Sequence, residues 1–415
     1  MKILIDCSNY FSQWSNIGDI ALYQVAGRRL SELFPTAEIR VLTDDPDLII
    51  RHCSPLMPIS HGAAHSREWF AAGDPSRWPI DGLWPLRRTA LTAARQVNTP
   101  GILCGRTKEL WDLPRAEAYF EALRSSDLVL LSGGGYFTDS FARHARGLLD
   151  TLAGAQRLGR PTAIMSPGFE PFGRELAPKA RDVLANVDLI GCRDPRTSPK
   201  VLRSLGVAEE RIHMTGDDAL EIALEGERAE RPNAIGFGIR VIKYANVNDE
   251  VAHGIGTAIA DVSSHFDAPV VRLPVNIVGP SDWDAMESAL SGLAVNLDDA
   301  PMPTTPAELS NRVGRCRVVI TGAFHAAVFA LAAGVPVVAF AASDHYRRKF
   351  LGLADLFGRG CEVIDFADGV PAKRLIEATR RAWNQGDDVR AGLRNKAIEL
   401  VRTQRAFWGR LRELV

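Results

Sequence analysis

The stretch Val318-Val319-Ile320-Thr321-Gly322-Ala323-Phe324-His325-Ala326-Ala327 reads as a buried strand, a tight loop and the first turn of a helix. Consecutive apolar and β-branched residues suit a strand covered on both faces, and Gly322 marks the turn. His325 falls in the opening turn of the helix. Unpaired amides at a helix start disfavour a cation, so its imidazole is expected to have a lowered pKa until an anion binds beside it. A lone histidine is commonly structural; a position at the carboxyl end of a strand makes this one a candidate proton donor or acceptor.

The same alternation extends outward in both directions. Strands are predicted at 234–239, 269–273, 317–321, 335–340 and 362–366, with helices at about 250–264, 282–294, 306–315, 324–333, 346–357, 371–384 and 388–412. A first block carries strands at 2–7, 38–42, 127–131, 161–165, 187–192 and 212–215, with helices at 19–34 and 195–205. Strands alternating with helices imply a mainly parallel sheet covered on both faces. The polar, Pro-stopped segment 225–233 separates the blocks. We therefore expect two α/β, Rossmann-like domains, 1–228 and 233–415, facing a central cleft at the carboxyl ends of their strands. Residues 55–115, with Trp69, Trp78, Trp84 and Trp111, read as an irregular insertion on the acceptor side of that cleft.

The chain has 415 residues, 49 Lys and Arg against 50 Asp and Glu, and a formal net charge of -1. That balance excludes a general nucleic-acid binder, although not a local basic pocket. Six scattered cysteines without a CxxC spacing fit reduced thiols in a cytoplasmic protein. No apolar run reaches the roughly 18 residues of a membrane span, and Met1–Asp6 reads as a first strand rather than a signal peptide. The final helix carries Arg402, Arg405, Arg410 and Arg412 beside apolar residues. It is expected to pack back across the domains, with contact to an anionic membrane surface as the other option.

Four further motifs fall at strand ends. Asn16-Ile17-Gly18-Asp19 is a helix start, either a plain N-cap or an anion-binding turn. Gly133-Gly134-Gly135, followed by Asp139, lets backbone approach a ligand closely; it is neither a dinucleotide fingerprint nor a P-loop. Arg193 and Asp217 close two strands of the first block. Arg240, Arg347, Arg348 and Lys349 are placed on the carboxyl edge of the second sheet, where with His325 they are expected to converge on one phosphate or carboxylate. No metal-ligand spacing is present in this set.

The order Asn16-Ile17-Gly18-Asp19, Gly133-Gly134-Gly135, Arg193, Asp217 with Ala219, His325 and Lys349 resembles the polysaccharide pyruvyl transferase family over about residues 10–358. The resemblance implies a GT-B-like fold and transfer of a pyruvyl group from phosphoenolpyruvate to two hydroxyls of a sugar, glycolipid or glycan, forming a cyclic ketal without metal or cofactor. It implies His325 as the general acid. It also implies a donor site of Arg240, Lys349, Gly322, Ala323 and Phe324, with Asn16, Gly18, Asp19, Gly133–Gly135, Asp139, Arg193 and Asp217 on the acceptor side or in the cleft. The family pattern reads Arg, an apolar residue, then His; here Ala323 replaces the arginine, and Asp218 replaces a proline. Either Arg347 or Arg348 supplies the missing cation, or the donor is another phosphorylated compound, such as a nucleotide sugar used by a glycosyltransferase. An inactive member serving as a binding partner in a glycan pathway is the third reading.

Overall fold

A computed structural model describes residues 1–6, 16–43, 45–60, 113–230, 232–279, 281–366 and 372–415. The expectations placed on the Trp-rich stretch 69–111 lie outside these residues.

Two parallel sheets form the framework. The first runs Met57–Ser60, Glu38–Thr43, Lys2–Asp6, Leu128–Leu131, Thr162–Ile164, Leu189–Cys192, Ile212–Met214, all pairs parallel. The second runs Val270–Arg272, Ala234–Gly238, Cys316–Thr321, Val337–Ala341, Cys361–Asp365, again parallel throughout. In each sheet the strand order reverses once. The reversals lie between Lys2–Asp6 and Leu128–Leu131, and between Ala234–Gly238 and Cys316–Thr321. Loops leave such a point in opposite directions and open a crevice at the carboxyl ends. The Asn16 and Gly133 motifs sit at the first reversal, Arg240 and His325 at the second. The architecture is two Rossmann-like halves in a GT-B-like arrangement.

The three-glycine segment differs from the expected loop. Gly134–Phe137 forms a short strand that pairs in parallel with Pro167–Phe169. Gly134 has φ +154°, a value a side chain would strain, and the Phe137 and Phe169 rings stack at 4.8 Å. This small ribbon projects beyond the main sheet towards the crevice.

The halves share apolar packing. Ile17, Ala21, Leu22 and Val25 of helix Ile17–Leu33 join the core of the second half, together with Leu220 and Ile222. Helix Asp387–Gly409 spans both. Leu393, Ala397 and Leu400 pack in the second-half core, whereas Phe407, Trp408 and Leu411 pack against the first sheet. Its apolar side is therefore buried by protein, which removes the face that the alternative of membrane-surface contact requires. No described helix is long and apolar enough to cross a membrane. Segment 225–230 lies against helix Pro306–Gly314: the Ala229 amide donates to the Gly314 carbonyl at 3.1 Å, and a side chain at Gly226 would meet Ser310.

Candidate functional site

A cavity of about 410 Å³ opens between the two reversals. Its charged wall comes from four elements. Asn16 caps helix Ile17–Leu33, accepting from the Gly18 and Asp19 amides at 2.8 and 3.3 Å. The motif is thus a cap, as the plainer reading holds, and it also lines the cavity together with Asp19. Arg193 follows strand Leu189–Cys192, His325 opens helix Phe324–Ala332, and Lys349 lies in helix Asp344–Phe357. All three line the cavity.

Glycines allow these groups to meet. A Cβ on Gly18 would fall 1.9 Å from His325 Nδ1, and one on Gly135 would fall 2.8 Å from an Arg193 nitrogen and 3.0 Å from Lys349 Nζ. Gly168 abuts the Arg193 guanidinium in the same way. The glycines of the ribbon thus admit cationic side chains. Gly133 packs against Leu22, away from the opening, and Gly322 is filled by the Phe340 ring.

Arg193 lies with its guanidinium 4.4 Å over the Phe324 ring and donates to Asp217 Oδ2 at 3.3 Å. Lys349 Nζ is 5.1 Å from the centres of both Phe324 and Tyr346, placements in which a cation is attracted by the ring quadrupole. His325 Nε2 is buried with no hydrogen-bond partner among the described residues, 3.8 Å from Asp217 Oδ2. Burial lowers its pKa to about 4; Asp217 opposes the shift, and Arg193 and Lys349 add to it. The downward direction matches expectation, but the cause is desolvation rather than the helix dipole. Lys349 is lowered to about 7, by burial first and then by Arg193. Asp19 is raised to about 6 by burial, against the pull of Lys349 and Arg193. Lys349 and Asp19, poised near neutrality beside the depressed His325 imidazole, form a site in which protons can move.

Arg240 and Asp282 form a buried pair at 2.9 Å. The other carboxyl oxygen of Asp282 accepts from the Val275 and Asn276 amides at 3.0 and 2.8 Å. Burial opposes the Arg240 charge, but Asp282 outweighs it and keeps the guanidinium firmly protonated. Arg240 therefore lines the cavity with most of its charge already balanced.

Two expected members of the cation cluster stand elsewhere. Arg347 is exposed and paired with Asp344 at 2.5 Å and Asp365 at 3.8 Å. Arg348 is held by Glu170 at 2.8 Å and lines, with Arg193, Lys349 and Phe324, a narrow side chamber of about 20 Å³ that adjoins the main cavity. Successive helical residues point about 100° apart, so the run Arg347-Arg348-Lys349 cannot present three cations to one cavity. Asp139 is exposed and accepts from the Gly173 amide at 2.8 Å, stabilising a loop rather than lining the cavity. Beside Phe324 the structure places the guanidinium of Arg193, 4.4 Å from the ring centre.

The remaining cavity wall escaped the sequence reading. It is made by Phe141, His144, Tyr244, Asn276, His345 and Tyr346. Aromatic residues at helix starts and in single 3-10 turns carry no periodic signal. Asp282, the first residue of its helix, looks like any acidic helix start. Among the described residues no group of three His, Cys, Asp or Glu side chains is arranged to hold a metal ion.

Solved structures share this fold at low identity. UDP-GlcNAc 2-epimerase from Neisseria meningitidis, bound to UDP-GlcNAc, is 12% identical with a TM-score of 0.56, over 97% of this chain and 99% of that one. The enzyme of the same name from Methanocaldococcus jannaschii gives 12%, 0.54, and 93% of each chain. Acinetobacter baumannii MurG gives 13%, 0.51, and 98% of each. Identities this low establish the GT-B fold alone. No curated relative matches the chain. The polysaccharide pyruvyl transferase family matches residues 16–344, a span that includes the glycine ribbon, Arg193, Asp217 and His325. The chain is a member of the polysaccharide pyruvyl transferase family.

Proposed function

We propose that this protein is a cytoplasmic transferase that moves a pyruvyl group from phosphoenolpyruvate to two hydroxyls of a sugar in a glycan or glycoconjugate. The observation that carries the proposal is the convergence of Arg193, Lys349 and His325 on one cavity. Phosphoenolpyruvate offers a phosphate and a carboxylate for two cations, and a methylene carbon for an acid. Support for Arg193 in the place of the family arginine comes from its position over Phe324, the residue next to Ala323.

The chemistry follows from these groups. His325 is neutral in the empty cavity; a bound trianion reverses the local field and raises its pKa, so the imidazole takes up a proton. Protonated His325 gives that proton to the methylene carbon, and positive charge develops at the neighbouring carbon. One sugar hydroxyl adds there, and its proton returns to the imidazole. The C–O bond to phosphate then breaks, a second hydroxyl adds to the same carbon, and its proton leaves with hydrogen phosphate. The balance is phosphoenolpyruvate plus a diol giving a ketal plus phosphate. Arg193 and Lys349 hold the anionic groups through the sequence. No step in this balance calls on a metal or cofactor.

Glycosyl transfer from a nucleotide sugar is the second reading, favoured by Ala323. It is weakened by Gly135 and Gly168, which here pack against cationic side chains and leave no glycine cradle for a diphosphate. The test is phosphate release from phosphoenolpyruvate, followed by phosphorus NMR, over a panel of hexosides, in parallel with UDP release from nucleotide sugars. The proposal expects phosphoenolpyruvate turnover that His325→Gln abolishes in a folded protein. UDP release alone would replace it with glycosyl transfer, and ligand binding without any turnover would make the protein a binding partner.

A further inference from the structure

The cavity has two chemically different, adjoining parts. Arg193, Lys349 and His325 line one. Rings build the other. Phe141, from the loop after strand Gly134–Phe137, meets Tyr244, from the second half, with centroids 5.2 Å apart and planes at 71°. Tyr346 lies parallel to Tyr244 at 6.2 Å and 4°, and backs it. His345 fills the angle between them, 5.9 Å from Phe141 and 6.2 Å from Tyr244, both edge-on. Tyr346 and His345 are buried, whereas Phe141 and Tyr244 each keep part of their surface exposed.

Exposed ring surface inside a cavity is apolar area that a ligand can cover, at about 25 cal/mol for each Å² removed from water. The shape of the exposed surface selects the ligand. Two parallel rings with a gap would take a flat base between them. Two rings at a steep angle, one from each half, make a corner. A corner suits a puckered six-membered ring that lays axial C–H bonds on one aromatic face and its rim against the other. The rim hydroxyls then reach towards Ser140 and Asn276, which line the same cavity.

We infer that the Phe141–Tyr244 corner is the acceptor subsite and that it takes a terminal hexopyranose through an apolar C–H face. This rests on the pyruvyl-transfer reading for its role, but the contact itself can be measured without turnover. The corner adjoins the anion site, because Tyr346 behind Tyr244 has its ring centre 5.1 Å from Lys349 Nζ, so bound sugar would turn its hydroxyls towards the carbon of the donor. Phe141 and Tyr244 come from opposite halves, so the subsite exists only when the halves are closed on each other.

The test is saturation-transfer NMR with methyl β-D-glucopyranoside and methyl β-D-galactopyranoside, and with uridine as the flat competitor. Wild type is expected to transfer saturation to the ring C–H protons of at least one glycoside. Phe141→Ala and Tyr244→Ala should reduce that signal at least fivefold while keeping the thermal shift produced by phosphoenolpyruvate. Tyr244→Phe, which retains the ring, should keep the signal and controls for folding. Unchanged glycoside signals in both alanine variants, or a uridine signal that depends on the two rings while the glycosides give none, would overturn the inference. A wild type that phosphoenolpyruvate does not stabilise, with glycoside signals still dependent on the rings, would sink the donor assignment and leave the sugar corner standing.

Discussion

Gly18→Ala should separate stability from catalysis. Gly18 lies in the first turn of helix Ile17–Leu33, where alanine favours the helix over glycine by about 1 kcal/mol. On sequence grounds the change is benign or stabilising. In the structure the new Cβ falls 1.9 Å from His325 Nδ1. An ordinary contact begins near 3.4 Å, so the imidazole must retreat by 3.4 − 1.9 = 1.5 Å. Phe324 and Asp217 pack around His325, so the retreat costs about 1–3 kcal/mol of overpacking. The helix gain offsets part of that. Net destabilisation should therefore stay below about 2 kcal/mol. The effect on rate is larger, because misplacing a reacting group by about 1 Å costs on the order of 100-fold. Steady-state phosphate release, read beside the urea midpoint, checks both. An alanine variant with wild-type turnover would show that His325 need not sit against Gly18, and the placement of the acid would fall.

Other consequences are smaller in scope. Lys349 has a pKa lowered to about 7, chiefly by burial; its folded form gives up the proton that the unfolded chain keeps, so its stability penalty is full below about pH 7 and fades as pH rises towards the unfolded value. Lys349→Met should therefore raise the melting temperature at pH 6, with a gain that shrinks by pH 9, while abolishing the response to phosphoenolpyruvate; melting curves across pH decide. Trp408→Phe removes the indole N–H that donates to Asp218 Oδ1 at 3.3 Å and leaves the buried carboxyl with the Ser166 hydroxyl, a loss of one hydrogen bond that costs about 1 kcal/mol. The urea midpoint should fall while the phosphoenolpyruvate shift persists; loss of that shift at unchanged stability would assign the last helix to the site itself.

Local pattern revealed the framework because each strand is a short apolar run and each helix a 3.6-residue stripe. The loops at carboxyl ends followed from topology, which put Arg193, Arg240, His325 and Lys349 on strand ends; their order, with Asp217, is what resembled the family. What spacing does not carry is contact between elements distant in the chain. Gly18 against His325, Gly135 against Lys349, and Phe141 against Tyr244 join the two halves, and packing alone sets them. The same limit explains the cation cluster: adjacency of Arg347, Arg348 and Lys349 in sequence becomes divergence on a helix. It also explains Arg240, whose buried partner Asp282 lies beyond an intervening strand and helix. Ser132–Gly135 looked like a loop because three glycines suit one, yet pairing with Pro167–Phe169 drew two of them into a strand.

The most direct test of the central claim is calorimetry of phosphoenolpyruvate binding at pH 7 in two buffers of different ionisation enthalpy. His325 is neutral in the empty cavity, with a pKa near 4, and must gain a proton to act as the acid. The account predicts proton uptake on binding that includes a share from Lys349, whose pKa of about 7 a bound anion also raises, and that falls in His325→Gln by close to one proton per site while some affinity from Arg193 and Lys349 remains. Binding with no proton uptake, or with an uptake undiminished in His325→Gln, would contradict it.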